Sequence, residues 1–328
     1  MYKYIPQKKR SALRIKLGVL FYSALRYFFW IRHRSEFATL SASKKYQAKN
    51  KINSSSKTGG LVNSDWAKKE FPFTAYSDSS DLYRNLSRDD SAMQDGKVDN
   101  LFVALKYIDG IILEPGKVFS YWKLLGRPTK AKGYKKGMML VNGKPVAKTA
   151  GGLCALSNLI YWITLHTNLT VIERFRHSYD VFPDSNRTRP FGSGATCVYN
   201  YRDLMIKNET SNTYRLELKI ENNKLYATWK TINPQIEQYK VFEKDHSFTQ
   251  EAAGVFVRHN SIYRKRIDQH AENQREELKM ENNTQNHEVE EYITENHALM
   301  MYQPFITNDS GIQSREAERE KESTKQTD

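Results

Sequence analysis

The chain of 328 residues is 39% apolar and 12% aromatic, enough for one large core or two small ones. Its two cysteines are too few to staple a disulfide scaffold, and no Cys/His cluster has zinc-ligand spacing, so neither a metal nor a cofactor is expected. The net charge of +14 sits at one end: residues 1–51 hold 13 Lys/Arg and one acid, Glu36, whereas residues 267–328 hold 6 Lys/Arg and 15 Asp/Glu, which argues against a basic face and against nucleic acid as partner.

Residues 1–51 form a basic, aromatic segment in which the apolar stretch Leu17–Ile31 is interrupted by Arg26 and followed by Arg32-His33-Arg34. The stretch is shorter than the ~20 residues of a spanning helix. Tyr-Phe-Phe-Trp-Ile stands where a signal peptide needs small residues. An amphipathic helix is expected, lying on an anionic membrane or docked on the domain. Residues 41–64 have linker composition, and the segment 52–80 is read as linker-like. From 81 to 113, Leu82, Leu86, Leu101, Leu105, Ile108 and Ile112 recur at helical spacing. Glu114–Lys117 is a turn, Val118–Trp122 a strand, and Met138–Val141 with Lys144–Val146 a hairpin about Asn142-Gly143. A buried helix then runs from a Gly-Gly-x-Cys turn to His166, followed by strands at Leu169–Phe175, Thr196–Ile206, Tyr214–Ile220 and Leu225–Trp229. Residues 81–234 therefore predict an α+β domain with a mostly antiparallel sheet. Residues 235–306 read as an extension of two short elements, Gly254–Arg266 and Tyr292–Phe305, around an acidic insert, and residues 307–328 as a disordered tail.

The chemistry concentrates in Gly151-Gly152-Leu153-Cys154. Backbone N–H groups at a helix start favour a thiolate, and glycines let a substrate approach closely. Cys154 is the candidate nucleophile and His177, beyond the next strand, the candidate base. The alternative keeps Cys154 as a small apolar residue in a helix–sheet contact and His177 as a strand-end histidine. Gly151, Gly152, Ser157 and Asn158 are candidate ligand contacts at the helix start. Arg174 and Arg176 flank the expected cleft and suit a substrate carboxylate. His166 is expected at the helix C-terminus, where positive charge is favoured.

Several blocks, Glu114-Pro115-Gly116-Lys117-Val118-Phe119-Ser120, Gly-Gly-Leu-Cys-Ala-Leu-Ser-Asn, and Val171-Ile172-Glu173-Arg174 before His177, recur with the order and spacing of one family. The chain resembles the VanW family, accessory proteins of vancomycin B-type resistance clusters, from about Val98 to Thr210. Asp203, in a matching block, becomes the candidate to orient His177 in a triad; Asp180 and Asp184 are alternatives. The family's block usually reads Gly-Gly-Gly-x-Cys-Gln, where this chain has Ala150 and Ala155. Gly194 stands where an acidic residue usually precedes the Ala-Thr of Ala195-Thr196.

The resemblance implies a role in glycopeptide resistance at the cell envelope, with a peptidoglycan precursor as ligand of a Cys/His cleft. A catalytic member would be a Cys–His acyl transferase or hydrolase; the alternative is a non-catalytic accessory or binding module with a structural cysteine. The sequence points to the cytoplasmic side, peripheral at the inner membrane face through residues 1–51, and leaves the oligomeric state open.

Overall fold

The segment Leu156–Leu165 contains no charged side chain, and a helix that is apolar on every side needs cover on every side. The computed structural model describes residues 11–50, 64–83, 88–141, 143–181, 188–235, 237–251, 254–267, 290–302, 304–307 and 311–314. It provides that cover with an α+β architecture, as expected from the sequence.

Three helices come first: α1 (Ala12–Arg32), α2 (Leu40–Asn50) and α3 (Ser64–Glu70). Ser11 starts α1 by accepting the Arg14 N–H. Residues 41–50 are helical, not linker. Thr39 caps them by accepting the Ala42 N–H, and Ser43 and Gln47 are buried, with Ser43 Oγ accepting the Ile112 N–H at 2.9 Å. Tertiary contact overrides a polar composition here; residues 51–63 lie outside the described chain.

Strand β1 (Phe73–Asp81) pairs with β10 (Lys224–Thr231), which forms a hairpin with β9 (Tyr214–Glu221); β2 (Ile112–Leu113) completes the sheet β1-β10-β9-β2. The hairpin turns on Asn222 and Asn223, both with positive φ, the geometry a two-residue turn demands. Helix α4 (Arg88–Ile108) accounts for the helical spacing expected over 81–113, but its ends differ: the Leu82 N–H bonds to Asn223 O, and Ile112–Leu113 join the sheet.

The expected strand 118–122 divides into β3 (Val118–Ser120) and α5 (Tyr121–Leu125), because Ser120 caps a helix by accepting the Lys123 N–H. The expected hairpin forms as β4 (Lys136–Val141) and β5 (Lys144–Thr149). Helix α6 (Cys154–Leu165) follows, then β6 (Thr170–Glu173), β7 (Tyr179–Asp180) and β8 (Met205–Lys207). The expected strand 196–206 shrinks to β8 and a bridge between Val198 and Arg202, since residues 194–197 instead bond to α6 and to the chain after β6. A second small sheet has the order β3-β8-β6.

Helix α6 buries Leu156, Leu159, Ile160, Tyr161, Trp162, Ile163 and Leu165, each apolar side chain contributing about 1.5–3 kcal/mol relative to exposure. Its polar groups are matched to the first sheet: Trp229 Nε1 donates to Thr164 Oγ1 at 3.0 Å, and Trp162 Nε1 to Asp78 Oδ2 at 2.6 Å. His166 ends the helix, stacked on Tyr76 with ring centroids 3.9 Å apart. Burial lowers its pKa, so it sits there as a neutral ring and not as the cation expected at a helix C-terminus.

Beyond residue 235 the structure holds more than two short elements. The long strands β11 (Gln238–Gln250), β12 (Phe256–Ile267) and β13 (Glu290–Met300) form one antiparallel sheet, and β7 adds to β13 in parallel. A hairpin, β14 (Pro304–Thr307) and β15 (Gly311–Ser314), occupies the start of the segment expected to be disordered; residues 315–328 lie outside the described chain.

Candidate functional site

The turn into α6 is held by residues distant in sequence. Asn100, fully buried on α4, donates from Nδ2 to Lys135 O at 3.1 Å and Gly151 O at 2.9 Å, and accepts the Lys135 N–H at 2.7 Å. The Tyr121 hydroxyl donates to Leu153 O at 2.8 Å. Gly151 lies so close to the β4 backbone that a Cβ would fall 2.0 Å from Gly137 O. Gly152 has a φ of 91° and Ala150 a φ of 62°. Ala150 therefore occupies a left-handed conformation natural to the glycine its family usually carries.

Cys154 starts α6 half-buried, and the backbone N–H groups of Cys154 and Cys197 both act to lower its pKa. Burial outweighs them, and the thiol stands above its ordinary pKa. Cys197, more deeply enclosed, is pushed further in the same direction by burial, with the nearby Asp203 adding to it. Both cysteines are free, and both are neutral thiols at pH 7.

Residues 194–197 run beside the start of α6. Ser157 Oγ donates to Ala195 O at 2.8 Å, and Asn158 Oδ1 accepts the Ala195 N–H at 2.8 Å. That second bond fixes the Asn158 amide with its oxygen inward. His177 Nε2, 3.2 Å from the same oxygen, must then carry the proton and donate. Its Nδ1 faces the Thr196 hydroxyl at 2.9 Å, with Arg176 O at 3.3 Å as a second acceptor for that hydroxyl's one proton. Burial, reinforced by the Arg174 cation, lowers the His177 pKa to about 4. Gly194 closes the cluster: a Cβ there would stand 2.8 Å from Asn158 Oδ1 and 2.9 Å from His177 Nε2. The structure thus gathers Cys154, Ser157 and Asn158 at one end of α6 and sets His177 and Thr196 against Asn158. Cys154, Asn158, His177 and Thr196 are each partly buried.

Other expected residues lie elsewhere. Asp203 is fully buried, accepting from Ser120 Oγ at 2.5 Å and from the Trp122 and Leu204 N–H groups, each at 2.9 Å. It fastens β3 and α5, and since Asn158 and Thr196 occupy both nitrogens of His177, it does not orient the imidazole. Burial raises its pKa to about 7. Asp180 is buried against Arg258 at 3.3 Å and Tyr302 at 2.8 Å; Asp184 lies outside the described chain. Arg174 is not offered to a ligand. It donates to Gly192 O, Gly194 O, Thr294 and Asn296, with its guanidinium 5.1 Å from the Tyr161 ring centroid. It ties β6 to β13 and holds the 192–194 loop in place. Arg176 is exposed, 4.0 Å from Glu295, and stays available at the rim. Asn100, Tyr121 and Thr196 were not singled out from the sequence; their roles depend on partners that spacing does not reveal. Among the described residues, no three His, Cys, Asp or Glu side chains are gathered to hold a metal ion.

Comparison with known proteins places this stretch of the chain in a family. A family model described as "VanW like protein" matches residues 96–230, which carry Asn100, the glycine turn, α6, His177 and Thr196. The "Vancomycin B-type resistance protein VanW" of Enterococcus faecalis is 32% identical over 189 residues, 57% of this chain and 68% of that protein. The "Uncharacterized protein YoaR" of Bacillus subtilis is 25% identical over 120 residues, 37% of this chain and 38% of its own length. No solved structure matches the chain. With a relative of that identity and coverage, and a family model centred on the same turn, the chain belongs to the VanW family.

Proposed function

We propose that this protein acts in glycopeptide resistance at the cell envelope, as a module that recognises a peptidoglycan precursor without covalent catalysis. The observation that carries this reading is the hydrogen bonding of His177. One ring nitrogen donates to Asn158, the other faces the Thr196 hydroxyl, and the ring is neutral well below pH 7. An imidazole engaged in this way has both ring nitrogens directed at partners other than Cys154. The thiol, held above its ordinary pKa, gains no thiolate from its surroundings. What remains is the Asn158 Nδ2 amide donor, which no bond within the cluster uses, beside a neutral imidazole and with the exposed cation Arg176 nearby. Such a set suits the amides and terminal carboxylate of a muramyl peptide.

One observation favours the competing reading, a Cys–His acyl transferase or hydrolase: the N–H groups of Cys154 and Cys197 act on the thiol in the sense an anion-binding site requires. Two measurements separate the readings. Under the binding reading, iodoacetamide modifies native Cys154 no faster than free glutathione at pH 7, and a muramyl pentapeptide titrated calorimetrically into the full chain still binds the Cys154→Ser variant. Binding is lost in Asn158→Ala. Alkylation of Cys154 well above the glutathione rate, or release of D-alanine by the wild type but not by Cys154→Ser, defeats the binding reading.

A further inference from the structure

Helix α1 is built with its polarity reversed. The stripe facing the domain is Val19, Ser23, Arg26 and Trp30, at spacings of four, three and four. Along it Arg26 pairs with Glu173, Asn200 Nδ2 donates to Ser23 O, and Trp30 is buried with Lys123 donating to its carbonyl. The opposite side carries Leu17, Phe21, Leu25 and Phe28, with exposures of 57%, 59%, 49% and 66%. Leu13, Leu20 and Ile31 widen that face. A helix on a water-soluble surface turns its apolar face to the core and its charges to solvent. This one does the opposite: it spends an arginine on docking and presents leucine and phenylalanine outward, far beyond the scattered apolar residues of an ordinary surface.

The charges around this face identify what covers it. Arg14 and Arg32 flank it at its two ends, Lys8-Lys9-Arg10 precede it, and no acidic residue occurs before Glu36. Cations at the margins of an apolar band match a bilayer bearing anionic headgroups, with the long side chains reaching outward to phosphate while the band enters the acyl region. No helix among the described residues is long and apolar enough to cross a membrane. The docked stripe also holds α1 along the domain surface for about 10 Å between Ser23 and Trp30, at ~1.5 Å per residue. We infer that α1 is an interfacial anchor: it lies flat in the surface of an anionic membrane on its Leu17–Phe21–Leu25–Phe28 face, with Arg26–Glu173 fastening the domain to its inner side. Glu173 Oε1 also accepts the Asp203 N–H at 3.0 Å and ends β6, so the Arg26–Glu173 pair links the anchor to the strand leading to His177.

The test is flotation of the full chain with vesicles of phosphatidylcholine alone or mixed with phosphatidylglycerol. The wild type is expected to float with the mixed vesicles, less as salt rises from ~0.1 M to ~0.5 M. The variant Phe21→Asp/Leu25→Asp/Phe28→Asp, altered only at exposed positions, should lose about a hundredfold or more in affinity with an unchanged melting temperature. A second variant, Arg14→Glu/Lys16→Glu, should lose the preference for phosphatidylglycerol. The inference is overturned if the wild type floats with neither vesicle, or if either variant floats as the wild type does. It is equally overturned if the triple substitution turns an oligomer into a monomer while wild-type vesicle binding is absent, which makes a second copy of the chain the cover.

Discussion

Acid should destabilise this protein through His177, and the size of the effect follows from its surroundings. The ordinary histidine pKa of 6.5 is lowered to about 4 in the fold. Between those values the unfolded chain holds a proton that the folded chain refuses, so the stabilisation present above pH 6.5 is lost as pH falls through 4. Linkage over that shift gives a loss of about 2 kcal/mol between pH 7 and 5, and about 3 kcal/mol by pH 4. Two buried carboxyls act in the opposite sense. Burial raises Asp203 to about 7 and Asp109 to about 6, so the folded state takes up their protons first and gains stability as pH falls through those values. The wild-type curve alone therefore mixes signs, and the informative quantity is the difference from a variant. His177→Gln keeps a donor and an acceptor but cannot titrate. Urea unfolding followed by tryptophan fluorescence at several pH values should show the variant losing about 3 kcal/mol less than the wild type from pH 7 to 4. Parallel pH dependences of the two proteins would refute the burial and neutrality of the ring, and with them the argument against base catalysis.

Two further outcomes concern the turn itself. Asn100→Ala removes three hydrogen bonds and leaves a part-buried N–H of Lys135 and the buried carbonyl of Gly151 without that partner; a loss of about 2–3 kcal/mol is expected in denaturant melts as Gly151–Cys154 loosens. Ala150→Gly relieves a left-handed alanine at a cost of about 1–2 kcal/mol while loosening the unfolded chain by up to ~1 kcal/mol, so a net gain of about 0.5–1 kcal/mol should appear as a higher melting temperature.

The fold class could be read from residues 81–234, because there local pattern and tertiary structure agree. Helix α6 carries no charged side chain, β10 alternates cleanly, and the Asn222-Asn223 turn needs no distant partner. The C-terminal strands could not be read so easily. Along β12 the inward positions include Arg258 and Asn260, and on β13 Asn296 is buried, so the inner face is hydrogen-bonded polar groups and the alternation that marks a strand is missing. Asn100 was missed for a different reason. On α4 it is one polar residue among many, and only partners 35 and 51 residues away reveal it. Asp203 shows the reverse error: a conspicuous aspartate whose partners, Ser120 and the Trp122 N–H, lie more than 80 residues back along the chain. Gly194 explains one family departure in steric terms, since any side chain there would press on Asn158 and His177.

Arg174 also sets an order of events in time. It sits three residues before His177 and bonds to Thr294 and Asn296, 120 and 122 residues later. Closing so long a loop costs chain entropy before any contact repays it, and during synthesis those partners emerge from the ribosome well after α6 and the first sheet. The surroundings of His177 are thus completed late, when β13 pairs beside β7. A nascent chain stopped near residue 230 would carry the whole family-matching segment and still lack these partners of Arg174, so the C-terminal sheet completes the surroundings of His177 as well as extending the fold.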